Sequence, residues 1–139
     1  MRVQTSRVIS VSLSPILFKI FLMDLAANLS KKNNVDVFKF ADDGTLKATG
    51  DTTAACLETL NEILEAVHAW SRKWRMVINC NRNKSEVIAF ATAENDRNLV
   101  PKTFKIGEKE IQRVSKTTVL GLVMDEDLTY IIIWIIAKK

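Results

Sequence analysis

Between Thr52 and Trp74 the apolar residues Leu57, Leu60, Ile63, Leu64, Val67, Trp70 and Trp74 recur every three or four positions. That period draws one apolar stripe along about six turns of helix, with Asp51 or Thr52 placed to cap it. Such a helix takes most of its stability from the face it buries, so the rest of the chain has to supply a surface of matching length. A second helix is expected from Ser14 to Leu29, where Ile16, Leu17, Ile20, Phe21, Leu25 and Leu29 keep helical spacing behind a capping Ser14 and a Pro15 at the first helical position.

The remaining patterns are those of strands. Val35 to Phe40 and Thr45 to Thr49 flank Asp43-Gly44, which reads as a hairpin turn. Met76 to Ile78 reads as a short strand and Asn79 to Asn83 as a polar loop. Ser85 to Ala91 is a strand with Val87, Ile88 and Phe90 available to a core, and a charge-rich loop follows it. Thr103 to Ile106 and Lys109 to Gln112 flank Gly107-Glu108 as another hairpin, and Thr117 to Val123 reads as one further strand. Helix, hairpin, long helix and strands without regular βαβ alternation describe an α+β domain, an antiparallel sheet with helices packed on one face. The length of 139 residues suits one domain, and 47% hydrophobic with 26% charged residues is ordinary globular composition.

Composition also removes several classes. Cys56 and Cys80 are too few for a disulfide framework and lack the paired spacing of a zinc site, so a reducing, intracellular setting is expected. Lys19 and Asp24 interrupt the only candidate signal core, and the apolar run Tyr130 to Ala137 is far shorter than the roughly 20 residues of a spanning helix. No membrane partner is expected. That run reads as an orphaned strand or an aggregation-prone segment. Charge is segregated: residues 1–35 sum to +4, 36–65 to −5 and 66–139 to +5. This pattern fits either solvated helix faces or a cation site set in a phosphate-binding surface.

Phe40-Ala41-Asp42-Asp43 carries the strongest chemical signal. Two adjacent carboxylates at a tight turn can approach one divalent cation, and hard oxygen ligands suit Mg²⁺. Plain turn chemistry is the competing reading. His68 has no metal-ligand partner at suitable spacing, Trp70 and Trp74 read as core anchors, and Asp125-Glu126-Asp127 reads as a solvated turn.

The order of motifs is more specific than any one of them. Leu13-Ser14-Pro15-Ile16-Leu17-Phe18, then Phe40-Ala41-Asp42-Asp43, then Trp70-Ser71-Arg72-Lys73-Trp74, Ile78-Asn79, Lys84-Ser85-Glu86-Val87-Ile88-Ala89-Phe90 and Leu120-Gly121 follow one another from about Val8 to Leu128. Together they resemble the palm of a reverse transcriptase, and more narrowly that of non-LTR (LINE-type) retrotransposons. The resemblance implies an RNA-directed DNA polymerase acting on an RNA template, a DNA primer and dNTPs, with two Mg²⁺ ions in the parent family. It implies that Asp42 and Asp43 are the metal ligands and that Phe40 and Ala41 lie at the nucleotide. Ser14 and Pro15 fall on the box that contacts template and nucleotide, Lys84 on the position that protonates pyrophosphate, and Leu120 and Gly121 on the primer grip.

The chain departs from that pattern in three places. Val8-Ile9-Ser10 stands where the family has Pro-Gln-Gly, and no Asp or Glu precedes Val8, where the family's first catalytic aspartate strand is expected. The run Ile131 to Ile136 does not resemble the start of a thumb. The expectation is therefore a partial reverse transcriptase domain over 1–128, lacking fingers and the first aspartate strand, with 129–139 an apolar tail in place of the thumb. Such a chain is expected to be inactive alone. The alternatives are a non-catalytic nucleic-acid-binding remnant and a marginally folded fragment without function.

Overall fold

The computed structural model describes residues 16–17, 19–20, 22–32, 34–40, 43–91, 94–127 and 132–137. Helical residues at 16–17, 19–20 and 22–29 form α1; Ser14 and Pro15, expected to open it, lie outside the described residues. The elements that follow are β1 (Val35–Phe40), β2 (Asp43–Thr49), α2 (Thr53–Lys73), β3 (Ser85–Phe90), α3 (Glu94–Leu99), β4 (Thr103–Ile106), β5 (Lys109–Val114), β6 (Lys116–Val119), β7 (Leu122–Asp125) and β8 (Ile132–Ala137).

The long helix starts where its cap predicts. Thr52 is extended, and its side-chain oxygen accepts from the Ala55 N–H at 3.2 Å. The helix ends in a Schellman motif. Arg75 takes φ 52°, its N–H donates to the Arg72 carbonyl at 3.3 Å, and the Met76 N–H donates to the Ser71 carbonyl at 2.9 Å. Arginine therefore stands where glycine is the favoured residue.

Six strands form one sheet in the order β1-β2-β8-β3-β5-β4, and β6-β7 form a separate two-stranded ribbon. Every pairing is antiparallel except β3 with β5. The apolar run near the C-terminus thus does not stand alone: β8 lies between β2 and β3, pairing Thr45 with Ile136 on one side and Glu86 with Ile136 on the other.

The stripe of α2 covers one face of this sheet. Cys56, Leu60, Ile63, Leu64 and Val67 pack with Leu46 and Ala48 of β2, Val87 and Ala89 of β3, Phe104 and Ile106 of β4, Ile111 of β5 and Leu29 of α1. The opposite face is covered in part by the ribbon, where Ile88 and Phe90 of β3 and Val114 of β5 meet Val119 and Met124. All six residues of β3 are buried, as a strand covered on both faces requires.

Three local expectations are corrected. Met76 to Ile78 forms no strand: after the Schellman turn it runs beside the β4-β5 hairpin, where Lys109 Nζ donates to the Ile78 carbonyl at 3.3 Å, without joining the backbone ladder. Thr117 to Val123 is two strands rather than one: Leu120 (φ 49°) and Gly121 (φ 83°) make the two-residue turn between β6 and β7. Asp43 and Gly44 are strand residues rather than the turn, since Phe40 pairs with Asp43 and Lys39 with Gly44. The charge-rich loop after Ala91 also contains the short helix α3.

Helix α1 is fastened beside α2 by polar contacts from its middle and from the turn that follows it. Lys32 pairs with Glu62, and Asp24 accepts from Lys73 Nζ and Trp74 Nε1, each at 2.9 Å. These two donors, Lys73 first, hold the Asp24 carboxyl below its ordinary 3.8. Its stabilising effect is therefore complete above that value and is lost as pH falls through the lowered pKa.

Two outcomes are expected. Arg75→Gly removes the positive-φ cost of a side chain and raises unfolding stability by about 1 kcal/mol, read from a urea transition. Asp24→Asn lowers stability near neutral pH, and its difference from the parent chain shrinks as pH falls below 3.8 in acid-unfolding series.

Candidate nucleotidyl-transfer site

The register of three strands places the candidate residues. Gly44 of β2 pairs with Ala137 of β8, and Ala137 pairs with Ser85 of β3. Asp43 and Lys84 each precede their paired residue by one position, so both stand at the same end of the sheet. They are two strand spacings apart, about 10 Å between backbones. Leu46, Ala48, Val87 and Ala89 face α2. Strand alternation then puts Asp43 and Thr45 on the opposite face, the face that Glu86 of β3 also takes, while Lys84 lies in the turn that leads into β3.

Asp43 is half-buried at the first position of β2, and Phe40 is its strand partner. Lys84 is half-buried at the close of a turn in which its N–H donates to the Asn81 carbonyl at 3.0 Å and Asn83 takes φ 67°. Ala41 and Asp42, like Ser14 and Pro15, lie outside the described residues. Leu120 and Gly121 form the turn of the β6-β7 ribbon, and the Leu120 side chain is exposed.

The same sheet end is rich in cations. Cys56, near the start of α2, donates to the Ala48 carbonyl, whereas His68, near its end, lies against Gly107 in the β4-β5 turn, where an added Cβ would meet the ring at 2.4 Å. The helix therefore runs back along the sheet and brings the exposed Arg72, Lys73 and Arg75 to the end that carries Asp43 and Lys84. Lys39, next to Asp43 across the hairpin, donates from Nζ to the Leu22 carbonyl at 2.6 Å. Partial burial of its ammonium group lowers its pKa from the usual value, although the residue as a whole is exposed. Between the end of α2 and the β4-β5 turn a groove of about 420 Å³ is lined by His68, Arg72, Met76, Ile78, Glu108 and Lys109 among others, and takes in neither Asp43 nor Lys84.

Lys39 sits directly before the Phe-Ala-Asp-Asp run, but its register partner is Gly44, so strand alternation turns it to the α1 side of the sheet, opposite Asp43. Glu86 is buried and accepts from Thr117 Oγ1 at 2.8 Å, which ties β3 to the ribbon that carries Leu120 and Gly121. An acidic residue inside an otherwise apolar strand is the signal that marks it. Asp125-Glu126-Asp127, read as a solvated turn, has Asp125 and Asp127 exposed and also carries two ion pairs, Glu126 with Arg113 at 3.1 Å and Asp127 with Arg97 at 2.6 Å.

Asp43 offers hard carboxylate oxygens of the type that holds Mg²⁺. Among the described residues no group of three or more His, Cys, Asp or Glu side chains is arranged for a metal ion. The sequence of β8, the strand between Asp43 and Lys84, contains no carboxylate. No described helix is long and apolar enough to cross a membrane.

Comparison with known proteins supplies the family. No match to this chain is found among curated proteins or among solved structures. A family model described as reverse transcriptase (RNA-dependent DNA polymerase) matches residues 11–124, a span that includes the β1-β2 hairpin, α2, Lys84 and the ribbon turn. With most of its length inside that match, and with an α+β fold whose hairpin carries the acidic motif, the chain belongs to the reverse transcriptase family.

Proposed function

We propose that this chain is a palm region of a non-LTR-type reverse transcriptase, built to position an RNA template, a DNA primer end and a dNTP for nucleotidyl transfer. The observation that supports this reading is that Asp43 of the hairpin and Lys84 ahead of β3 stand at one end of the sheet, the end to which α2 brings its basic residues on the other face. In the reaction the primer 3′ oxygen forms a bond to the α-phosphorus, and the bond to pyrophosphate breaks.

Asp42 and Asp43 would hold Mg²⁺, which when bound offsets negative charge at the attacking and leaving oxygens. Lys84 would donate a proton to the departing pyrophosphate. Phe40 and Ala41, with Ser14 and Pro15, would line the nucleotide and template, and Leu120 and Gly121 would hold the primer strand. Arg72, Lys73 and Arg75 would meet phosphates of the bound nucleic acid.

A second reading is favoured by the composition of β8. With no carboxylate on the strand beside β2, a cation at Asp43 lacks one source of charge compensation. Loss of one preorganised electrostatic group commonly costs about 100-fold or more in rate. The chain by itself then binds nucleic acid through its basic end without turnover.

Calorimetric titration with Mg²⁺ or Mn²⁺, with Asp42→Asn/Asp43→Asn as control, tests the cation site. Saturable heat that the double substitution removes supports the site, and heat unchanged by it refutes the assignment. Templated incorporation of dNTPs is expected to stay at background for the purified chain. Incorporation above background that requires Asp43 refutes the second reading. Binding to a primer–template duplex is expected to weaken steeply as salt rises, and to survive Asp42→Asn/Asp43→Asn.

A further inference from the structure

Strand β8 enters the sheet at its centre, although it follows every other element in sequence. On one side Gly44 to Thr49 pair with Ala137 to Ile132, and on the other Ser85 to Phe90 pair with the same six residues. Strands β2 and β3, joined through α2, therefore stand one strand apart, and β8 fills the slot between them. Without an occupant each would present an unpaired backbone edge at the middle of the core, and exposed edges of this kind recruit other strands.

The two outer edges are defended and the slot is not. Strand β1 carries exposed Asp36 and Lys39, and β4 has only four residues with exposed Lys105. Charge and short length are the devices that keep sheet edges from pairing with other chains. The occupant of the slot has the sequence Ile-Ile-Trp-Ile-Ile-Ala, free of charge and proline. Every backbone pairing that it makes to β2 and β3 can be made unchanged to the β2 and β3 of another copy.

We propose that the β2/β3 slot is an interaction surface for a second copy of this chain, and that two copies associate by exchanging β8. Each β8 then lies between β2 and β3 of its partner in the same register, and the outer edges take no part. Because the exchanged pairings equal the internal ones, protein concentration decides the outcome. This inference is independent of the polymerase reading.

The test uses the full chain in a Cys80→Ser background, with buried Cys56 kept. Thr45 and Ile136 are directly opposed in the register. In an antiparallel pair such positions stand about 5 Å apart at Cβ, close to disulfide reach. Thr45→Cys and Ile136→Cys in one chain are expected to close internally when refolded dilute. Thr45→Cys chains refolded together with Ile136→Cys chains are expected to give a covalent heterodimer on oxidation, with a yield that rises with concentration. Each single variant refolded alone should not give that species.

Internal closure of the double variant without heterodimer from the mixed singles, at every concentration used, would overturn exchange. Failure of a folded double variant to close would overturn the register and the proposal with it. The unsubstituted chain gives a reading that needs no engineered cysteine. Light scattering after refolding should show a dimer-to-monomer ratio that grows roughly in proportion to free monomer. A monomeric mass at all concentrations would count decisively against the proposal.

Discussion

The pairing of β8 on both of its edges is the constraint on which the rest of the structure depends. Strands β2 and β3 are parallel to each other and one strand apart, because both run antiparallel to β8. Backbone donors and acceptors inside a core must be paired, and β8 pairs both inner edges at once. Its register also sets the alignment of Asp43 with Lys84. A slip of one residue between β2 and β8 would turn Asp43 to the α2 face, since neighbouring strand residues point to opposite faces.

Above that sheet, α2 converts burial into orientation. Its apolar stripe meets β2, β4 and β5 together with β3, so the helix has one resting line, and its end brings Arg72, Lys73 and Arg75 to the end of the sheet that carries Asp43. The Asp24 carboxylate pins Lys73 and Trp74 there, and Lys73 also lies 4.9 Å from the centre of the Trp74 ring. Glu86 and Thr117 play a comparable part on the opposite face, where one buried hydrogen bond fixes the ribbon against β3. Basic and acidic groups thus share one end of the molecule for reasons of packing as well as of charge.

Much of this was legible in the residues. The stripe of α2, its Thr52 cap, the β4-β5 hairpin around Gly107-Glu108 and the strands Val35–Phe40 and Ser85–Phe90 all follow from short-range periodicity and turn chemistry. Thr117 to Val123 misled because its turn is Leu120-Gly121, and leucine at φ 49° is a choice that local propensity disfavours. Asp43-Gly44 misled in the other direction, since a strong turn dipeptide lies within the strand ladder. Met76 to Ile78 has strand-like residues but leaves α2 at an angle that the helix cap determines.

The sequence by itself determined the α+β class, the helix that needs a sheet beneath it, and the acidic hairpin of the reverse transcriptase family, because periodicity and motif order are properties of neighbours along the chain. Only the tertiary structure decided that Ile132–Ala137 is a central strand, that Lys84 stands at the same end of the sheet as Asp43, and that Glu86 is tied to Thr117. These relations join residues distant in sequence. Their register is selected by the joint burial of two edges and two faces, and no local window of residues contains that information.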